Sequence, residues 1–225
     1  MKEGFSKEQI AARAAREIKD GMYVNLGIGI PNLIPEFLGN KDVIIHSENG
    51  LVGMGPLAGS GEEDPDLINA AKQPVTIKPG GAICSQSDSF VIIRGGHLDM
   101  TVLGAFQVSE KGDLANWNVP VKGSIPGVGG AMDLVAATKT VVVTMTHCSK
   151  NGDPKILKEC TYPLTGKKCV DIIITDIACI KVTDEGLLLT EVAPGLTAED
   201  VQEVTDAQLI IDDNIKEMCA DQQPA

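Results

Sequence analysis

The sequence predicts an α/β protein: an open, mostly parallel sheet flanked by helices, with some antiparallel hairpins. Three observations predict it. The first fifty residues read as helix, strand, glycine turn, helix and strand. That order is a βαβ unit, whose two strands run parallel. Short β-branched runs then recur to the end of the chain, and glycine turns repeatedly stand between a strand and a helix. Strands alternating with helices favour this class over a sandwich or a bundle.

Ser6-Lys7-Glu8-Gln9 is a capping box, and Ile10, Ala11, Ala14, Ala15 and Ile18 recur at helical spacing until Gly21 stops the helix. Tyr23 to Leu26 reads as a strand. Gly27-Ile28-Gly29-Ile30-Pro31 follows, and Pro31 suits the first position of a helix running to about Leu38. Asp42 to His46 is the next strand. Ser47 to Asp66, rich in glycine and closed by acidic residues, reads as a long mobile loop, and Pro79-Gly80-Gly81 as a turn. Ser89 to Arg94 is a short helix closed by Gly95-Gly96. Thr101 to Leu103 and Ala105 to Val108 are short strands. Glu110-Lys111-Gly112-Asp113 turns into a strand from Leu114 to Val119. Ala131 to Ala137 is helical, and Val141 to Val143 is a buried strand. Asp171 to Thr175, Ile177 to Val182 and Leu187 to Val192 are strands; Thr197 starts a last helix and Leu209 to Ile211 a last strand. With 225 residues and no repeat or convincing linker, the chain reads as one domain, 1–225.

Nineteen Lys and Arg against 31 Asp and Glu leave a net charge of −12. Such a field repels a nucleic-acid backbone and anionic lipid, so neither is expected as a partner. No apolar run reaches the length of a membrane span, and Met1 to Gly4 lacks the apolar core of a signal peptide. A cytoplasmic location is expected. The six cysteines show no C-x-x-C spacing, which fits free thiols in a reducing compartment.

The chain is organised around His46-Ser47-Glu48-Asn49-Gly50. An apolar strand leads in, and a carboxylate stands where the strand ends, the edge at which open α/β sheets bind ligands. By itself the stretch also reads as a plain polar turn. Asn25 to Pro31 is a strand, glycine turn and helix start able to cradle an anion; position 32 is Asn, not the third glycine of the dinucleotide fingerprint. Gly127-Val128-Gly129-Gly130-Ala131 again opens a helix, and the Gly130 and Ala131 amides are candidate oxyanion donors. His97 with Asp99 reads either as a catalytic pair or as a turn histidine beside a cap. His147-Cys148 has no companion at metal-ligand spacing, so no metal is expected. Lys150, Lys155, Lys158, Lys167 and Lys168 form either a solvated face or a local site for phosphates.

Several of these stretches, in this order, resemble the family I coenzyme A transferases, specifically their beta subunit. They are Asn25-Leu26-Gly27-Ile28-Gly29-Ile30-Pro31, Ser47-Glu48-Asn49-Gly50-Leu51-Val52-Gly53, Arg94-Gly95-Gly96-His97, Ala115-Asn116-Trp117, Gly129-Gly130-Ala131-Met132-Asp133-Leu134, Cys160-Thr161-x-Pro163-Leu164-Thr165 and Gly186-Leu187-x-Leu189-x-Glu191. The likeness is strongest to those that exchange CoA among acetoacetate, butyrate and acetate. It implies the transferase fold, also seen in sugar-phosphate-binding proteins, and a ping-pong reaction on Glu48 through a glutamyl–CoA thioester. It implies Asn25, Gly130 and Ala131 as oxyanion contacts, and Gly127, Gly129 and Gly130 against the CoA arm. CoA is a substrate, and no cofactor is required. An alpha-subunit partner and an α2β2 assembly are implied, with the loop after Glu48 closing over the site. An acyl-CoA hydrolase on the same scaffold and a non-catalytic sugar-phosphate-binding module are the competing readings.

Overall fold

The computed structural model describes residues 4–121 and 123–219. In chain order the elements begin with α1 (Lys7–Ala15), β1 (Tyr23–Leu26), a 3₁₀ helix (Ile30–Phe37), β2 (Ile44–Ser47), β3 (Leu51–Leu57) and β4 (Val75–Ile83). They continue with α2 (Gln86–Arg94), β5 (Met100–Gly104), β6 (Gln107–Ser109), β7 (Leu114–Ala115), α3 (Ala131–Ala137), β8 (Thr140–Thr144) and β9 (Ile156–Leu157). The last are β10 (Ile172–Ile174), β11 (Ala178–Thr183), β12 (Gly186–Val192), α4 (Ala198–Glu203) and β13 (Leu209–Glu217).

The main sheet has the order β13-β12-β11-β10-β8-β5-β1-β2-β3-β4. Its centre, β10-β8-β5-β1-β2, is parallel throughout. The βαβ reading holds: Tyr23, Val24 and Asn25 lie in register with Ile44, Ile45 and His46. Chain order runs outward from β1 to β2 on one side, then back to β5, β8 and β10 on the other. That reversal is a topological switch point, where a crevice opens beyond the carboxyl ends of the strands. A small second sheet, β7-β6-β9, stands beside it.

Helices cover both faces. On one, α1 and the 3₁₀ helix pack Ile10, Ala14, Ile34 and Phe37 against Val24, Ile45, Val102 and Val142. On the other, α2, α3 and α4 pack Ile93, Leu134 and Val201 against the sheet around Val141, Val143 and Ile173. α1 starts with the expected capping box between Ser6 and Gln9. It is also tied across its face by Arg13, whose Nε donates to Glu191 Oε2 at 2.7 Å and whose second terminal nitrogen donates to Oε1 at 2.8 Å. Arg13 is buried, so this bidentate pair satisfies a charge that burial alone would penalise.

Three expectations are corrected. The long loop from Ser47 contains β3, paired antiparallel to both β2 and β4, and Pro79-Gly80-Gly81 lies within β4. The glycines permit close strand contact instead of marking loop: a Cβ on Gly53 would stand 2.9 Å from Gly81 Cα, and one on Gly55 would overlap Thr76 Oγ1. Both strands carry register irregularities there. The helix after Pro31 is 3₁₀, with Pro35 inside it, and proline has no N–H to continue an α-helical ladder. The strand from Leu114 stops at Ala115, because Asn116 turns its Nδ2 to Gly104 O at 3.2 Å and Trp117 its Nε1 to Leu164 O at 3.1 Å.

Candidate active site

β2 ends at Ser47, and the chain turns at once into β3. The turn is built from its own side chains. Ser47 Oγ donates to Asn49 Oδ1 at 2.5 Å, Asn49 Nδ2 donates to Ile68 O at 2.7 Å, and the Gly50 N–H donates to Ser47 O at 3.0 Å. Gly50 has φ +116°, and a Cβ there would overlap Cys84 O at the end of β4, so no other residue fits without moving the strand. Glu48 is thereby held at the carboxyl edge of the sheet, half-buried.

A cavity of about 740 Å³ opens along that edge, across the ends of β1, β2, β5 and β8. Every residue assigned to the site from sequence lines it: Asn25, Glu48, Gly127, Gly129, Gly130 and Ala131. Leu33, Leu103 and Phe106 supply apolar wall. Gly130 caps α3 and points its amide N–H at the Glu48 carboxylate. A Cβ on Gly130 would overlap Glu48 Oε2, and one on Gly129 would stand 3.6 Å from Oε1. The bare backbone at these positions is what admits the carboxylate. Burial pushes the Glu48 carboxyl above the ordinary carboxylate range, the Gly130 N–H draws it back, and the nearby Asp133 charge pushes it up again.

Asn25 is buried, with its carboxamide turned to the neighbouring strand. Its Nδ2 lies 3.2 Å from His46 O and 3.3 Å from His46 Nδ1, and its Oδ1 accepts from Thr101 Oγ1 at 3.4 Å. The Ala131 N–H donates back to Val128 O at 3.3 Å. All three expected oxyanion donors thus border the cavity, and each already has a partner within the protein.

The remaining sequence candidates fall elsewhere. Asp99 accepts from Lys139 Nζ at 2.7 Å and from the Tyr23 N–H at the start of β1 at 2.9 Å, so it caps no helix, while His97 is exposed. His147 is buried between Thr175 Oγ1 at 3.0 Å and Thr205 Oγ1 at 2.8 Å, and the Cys148 thiol faces Val204 O. Burial pushes that thiol up, away from reactivity. Cys84, Cys148, Cys160, Cys169 and Cys179 are free thiols. Among the described residues no group of three or more His, Cys, Asp or Glu stands together as a metal site, and no helix is long and apolar enough to cross a membrane. Of the five lysines singled out, only Lys155 lines the cavity. Burial lowers it to about 8, and its Nζ has Thr146 Oγ1 at 3.4 Å. Sequence reasoning missed Ser89 and Thr101, single hydroxyls whose neighbours only the fold supplies.

Burial also holds His46 and His147 down, each to about 4. An unfolded histidine titrates near 6.5, so below about that pH the unfolded chain binds more protons than the folded one. The stabilising effect of the neutral rings is full above about 6.5 and is lost as the pH falls toward about 4. Urea midpoints are expected to drop between pH 7 and pH 5, with a shallower drop in His147→Gln. An equal drop in both proteins would remove His147 from the effect.

Fold and cavity together define an α/β protein with a cavity at the switch point of a parallel sheet, lined by a carboxylate backed by a glycine-opened helix. The comparisons with known proteins agree. Residues 7–204 match the family described as coenzyme A transferase. The chain is 54% identical over 206 residues to the B subunit of the 3-oxoadipate CoA-transferase of Pseudomonas putida, covering 92% of this chain and 97% of that one. It is 51% identical over 220 residues to the mitochondrial succinyl-CoA:3-ketoacid coenzyme A transferase 2 of Homo sapiens, covering 96% of this chain but 42% of that longer one. In fold it resembles the acyl-CoA transferase YdiF of Escherichia coli O157:H7, with TM-score 0.77 and 23% identity over 96% of this chain and 44% of that one. The chain belongs to the coenzyme A transferase family, as a family I beta subunit.

Proposed function

We propose that this protein moves CoA between a short-chain acyl-CoA and a carboxylic acid, with Glu48 as the covalent carrier. The observation that carries the reading is the Glu48 carboxylate, fixed at the carboxyl edge of β2 and facing the bare backbone of Gly129 and Gly130.

A Glu48 oxygen adds to the thioester carbonyl carbon of the acyl-CoA. The tetrahedral adduct expels CoA thiolate and leaves a mixed anhydride. The thiolate then adds to the Glu48 carbonyl carbon, releasing the acyl group as its carboxylate and leaving a glutamyl–CoA thioester. An acceptor carboxylate reverses both steps. No proton or electron is gained or lost overall, and CoA is a substrate, not a cofactor. The oxyanions need donors close by. The Gly130 N–H serves twice in this scheme: it holds the resting carboxylate and passes to the oxyanion as Glu48 is acylated. Ala131 and Asn25 border the same point. Gly127 and Gly129 leave room for the pantetheine arm, whose contacts offset the cost of orienting the reacting atoms.

The relatives' names favour a 3-oxoacid acceptor and a succinyl-CoA-type donor. Acetoacetate, itself a 3-oxoacid, falls within that class; nothing adds support for butyrate or acetate. The Pseudomonas relative is by name one of a set of differing subunits, which supports an alpha-subunit partner, and we assign the pair an α2β2 assembly. Lys155 is placed to meet an anionic group of CoA. Lys155→Met is expected to raise KM for acyl-CoA about tenfold, the worth of one charged hydrogen bond, and to leave kcat within twofold.

The test is to incubate the assembled enzyme with acyl-CoA and no acceptor, then weigh the peptide bearing Glu48. A CoA adduct on Glu48 is expected. Active enzyme with an unmodified peptide would overturn the mechanism, and steady release of free CoA would assign the protein to thioester hydrolysis.

A further inference from the structure

One buried side chain that this reaction does not use is His46, two residues before Glu48. Its ring lies between two elements that flank the site. On one side Nδ1 is 3.3 Å from Asn25 Nδ2 of β1, and on the other Nε2 is 2.9 Å from Ser89 Oγ of α2. The direction of these bonds is settled by donor count. Asn25 Nδ2 only donates, so Nδ1 accepts and the ring proton sits on Nε2. That proton goes to Ser89 Oγ, whose own proton is left for Ser47 O at 3.5 Å. Thr101 Oγ1 donates to Asn25 Oδ1 and fixes which way the carboxamide faces. The chain Thr101–Asn25–His46–Ser89–Ser47 is therefore polarised in one sense and crosses β5, β1, β2 and α2. His46 is 1% exposed and Ser89 0%, so neither water nor substrate reaches the ring. Its neighbours in the network are neutral amides, hydroxyls and a backbone carbonyl.

We infer that His46 is a positioning residue: its ring locks the Asn25 carboxamide and the Ser47 carbonyl into one frame, and so sets Glu48 against its donors. The inference rests on the proposed role of Glu48. It also gives Asn25 a condition for serving as an oxyanion donor. Its Nδ2 is engaged by both His46 Nδ1 and His46 O, so Asn25 serves an oxyanion only by sharing an N–H between His46 and the substrate, with the carboxamide kept in its plane.

The test compares His46→Leu, His46→Gln and Ser89→Ala in the assembled enzyme. Gln keeps a side-chain acceptor and donor in the buried space; Leu keeps only bulk. A misplacement at this distance from the reacting atoms costs up to about a hundredfold. His46→Leu is expected to lower both kcat and the rate of glutamyl–CoA formation by about ten- to a hundredfold, with KM for acyl-CoA within twofold. His46→Gln is expected to recover most of the loss, with a pH–rate profile superimposable on that of the parent, because no titration is involved. Ser89→Ala is expected to show a smaller loss in the same rate. His46→Leu with the parent's rate of adduct formation would overturn the inference, as would a Gln variant no better than Leu. If His46→Leu does not assemble, Ser89→Ala decides, and the parent's kcat there overturns it. Absence of any adduct in the parent enzyme would instead overturn the role of Glu48.

Discussion

Glu48→Gln is expected to lower CoA transfer by about four orders of magnitude or more, the scale on which removal of a covalent nucleophile is felt. The substitution removes a charge from a half-buried site and nearly preserves shape, so folding and assembly should survive it. The amide oxygen is a far weaker nucleophile than the carboxylate, and the anhydride has no group on which to form. Acyl-CoA should still bind, since the cavity wall and its glycines are untouched. Two measurements separate these effects: single-turnover assays of thioester loss, and equilibrium binding of a non-reactive CoA thioether. Transfer within tenfold of the parent would remove Glu48 from the chemistry. Because burial raises the Glu48 carboxyl, the parent's rate should fall as the solution is acidified through that raised value. The acid limb of its profile should therefore lie above that of an exposed glutamate.

Gly130→Ala is expected to carry the second-largest effect. Gly130 has φ −89° and ψ 5°, the bridge region, which is open to alanine and lies outside the left-handed region that favours glycine. What alanine cannot do is share space with Glu48 Oε2 and stand clear of Phe90 Cζ, 3.1 Å from the added carbon. The carboxylate must swing off the Gly130 amide. Loss of one such donor at a reacting centre costs about a hundred- to a thousandfold in kcat. Thermal unfolding should move little, because the clash is with a side chain at the edge of a cavity. A large drop in the unfolding temperature with normal specific activity would reverse this assignment and make Gly130 a folding residue.

Much of this is legible in the sequence, for identifiable reasons. The capping box at Ser6, the βαβ unit and the helix at Ala131 are local signals, and local signals survive folding. The glycine-rich segment after Glu48 misleads because glycine serves both turns and strand crowding, and only the partner strand tells which. Gly53 and Gly81 explain one another, yet neither is informative without the other. Pro35 converts an expected α-helix to 3₁₀ by the absence of one N–H, a subtraction that periodicity does not register. The proposed nucleophile, Glu48, is visible as a motif. Its setting is not: Ser89 on α2 and Thr101 on β5 are ordinary residue types, brought together only by the packing of helix on sheet and by strand order. The family likeness assigns Asn25 to substrate; the fold sets it on the cavity border and adds a histidine partner for its amide that the sequence does not reveal.

The cavity spans the ends of strands whose order in space differs from their order in the chain. The meeting of Glu48 and Gly130 requires β5 beside β1 and α3 packed with α2. These are non-local pairings, which form late because the entropy of closing long loops precedes any reward. A chain emerging from synthesis, or one partly unfolded, carries an ordinary solvated glutamate with no donor beside it. The proposed reactivity of Glu48 toward thioesters thus depends on completion of the fold, and unfolded copies are expected to leave acyl-CoA untouched.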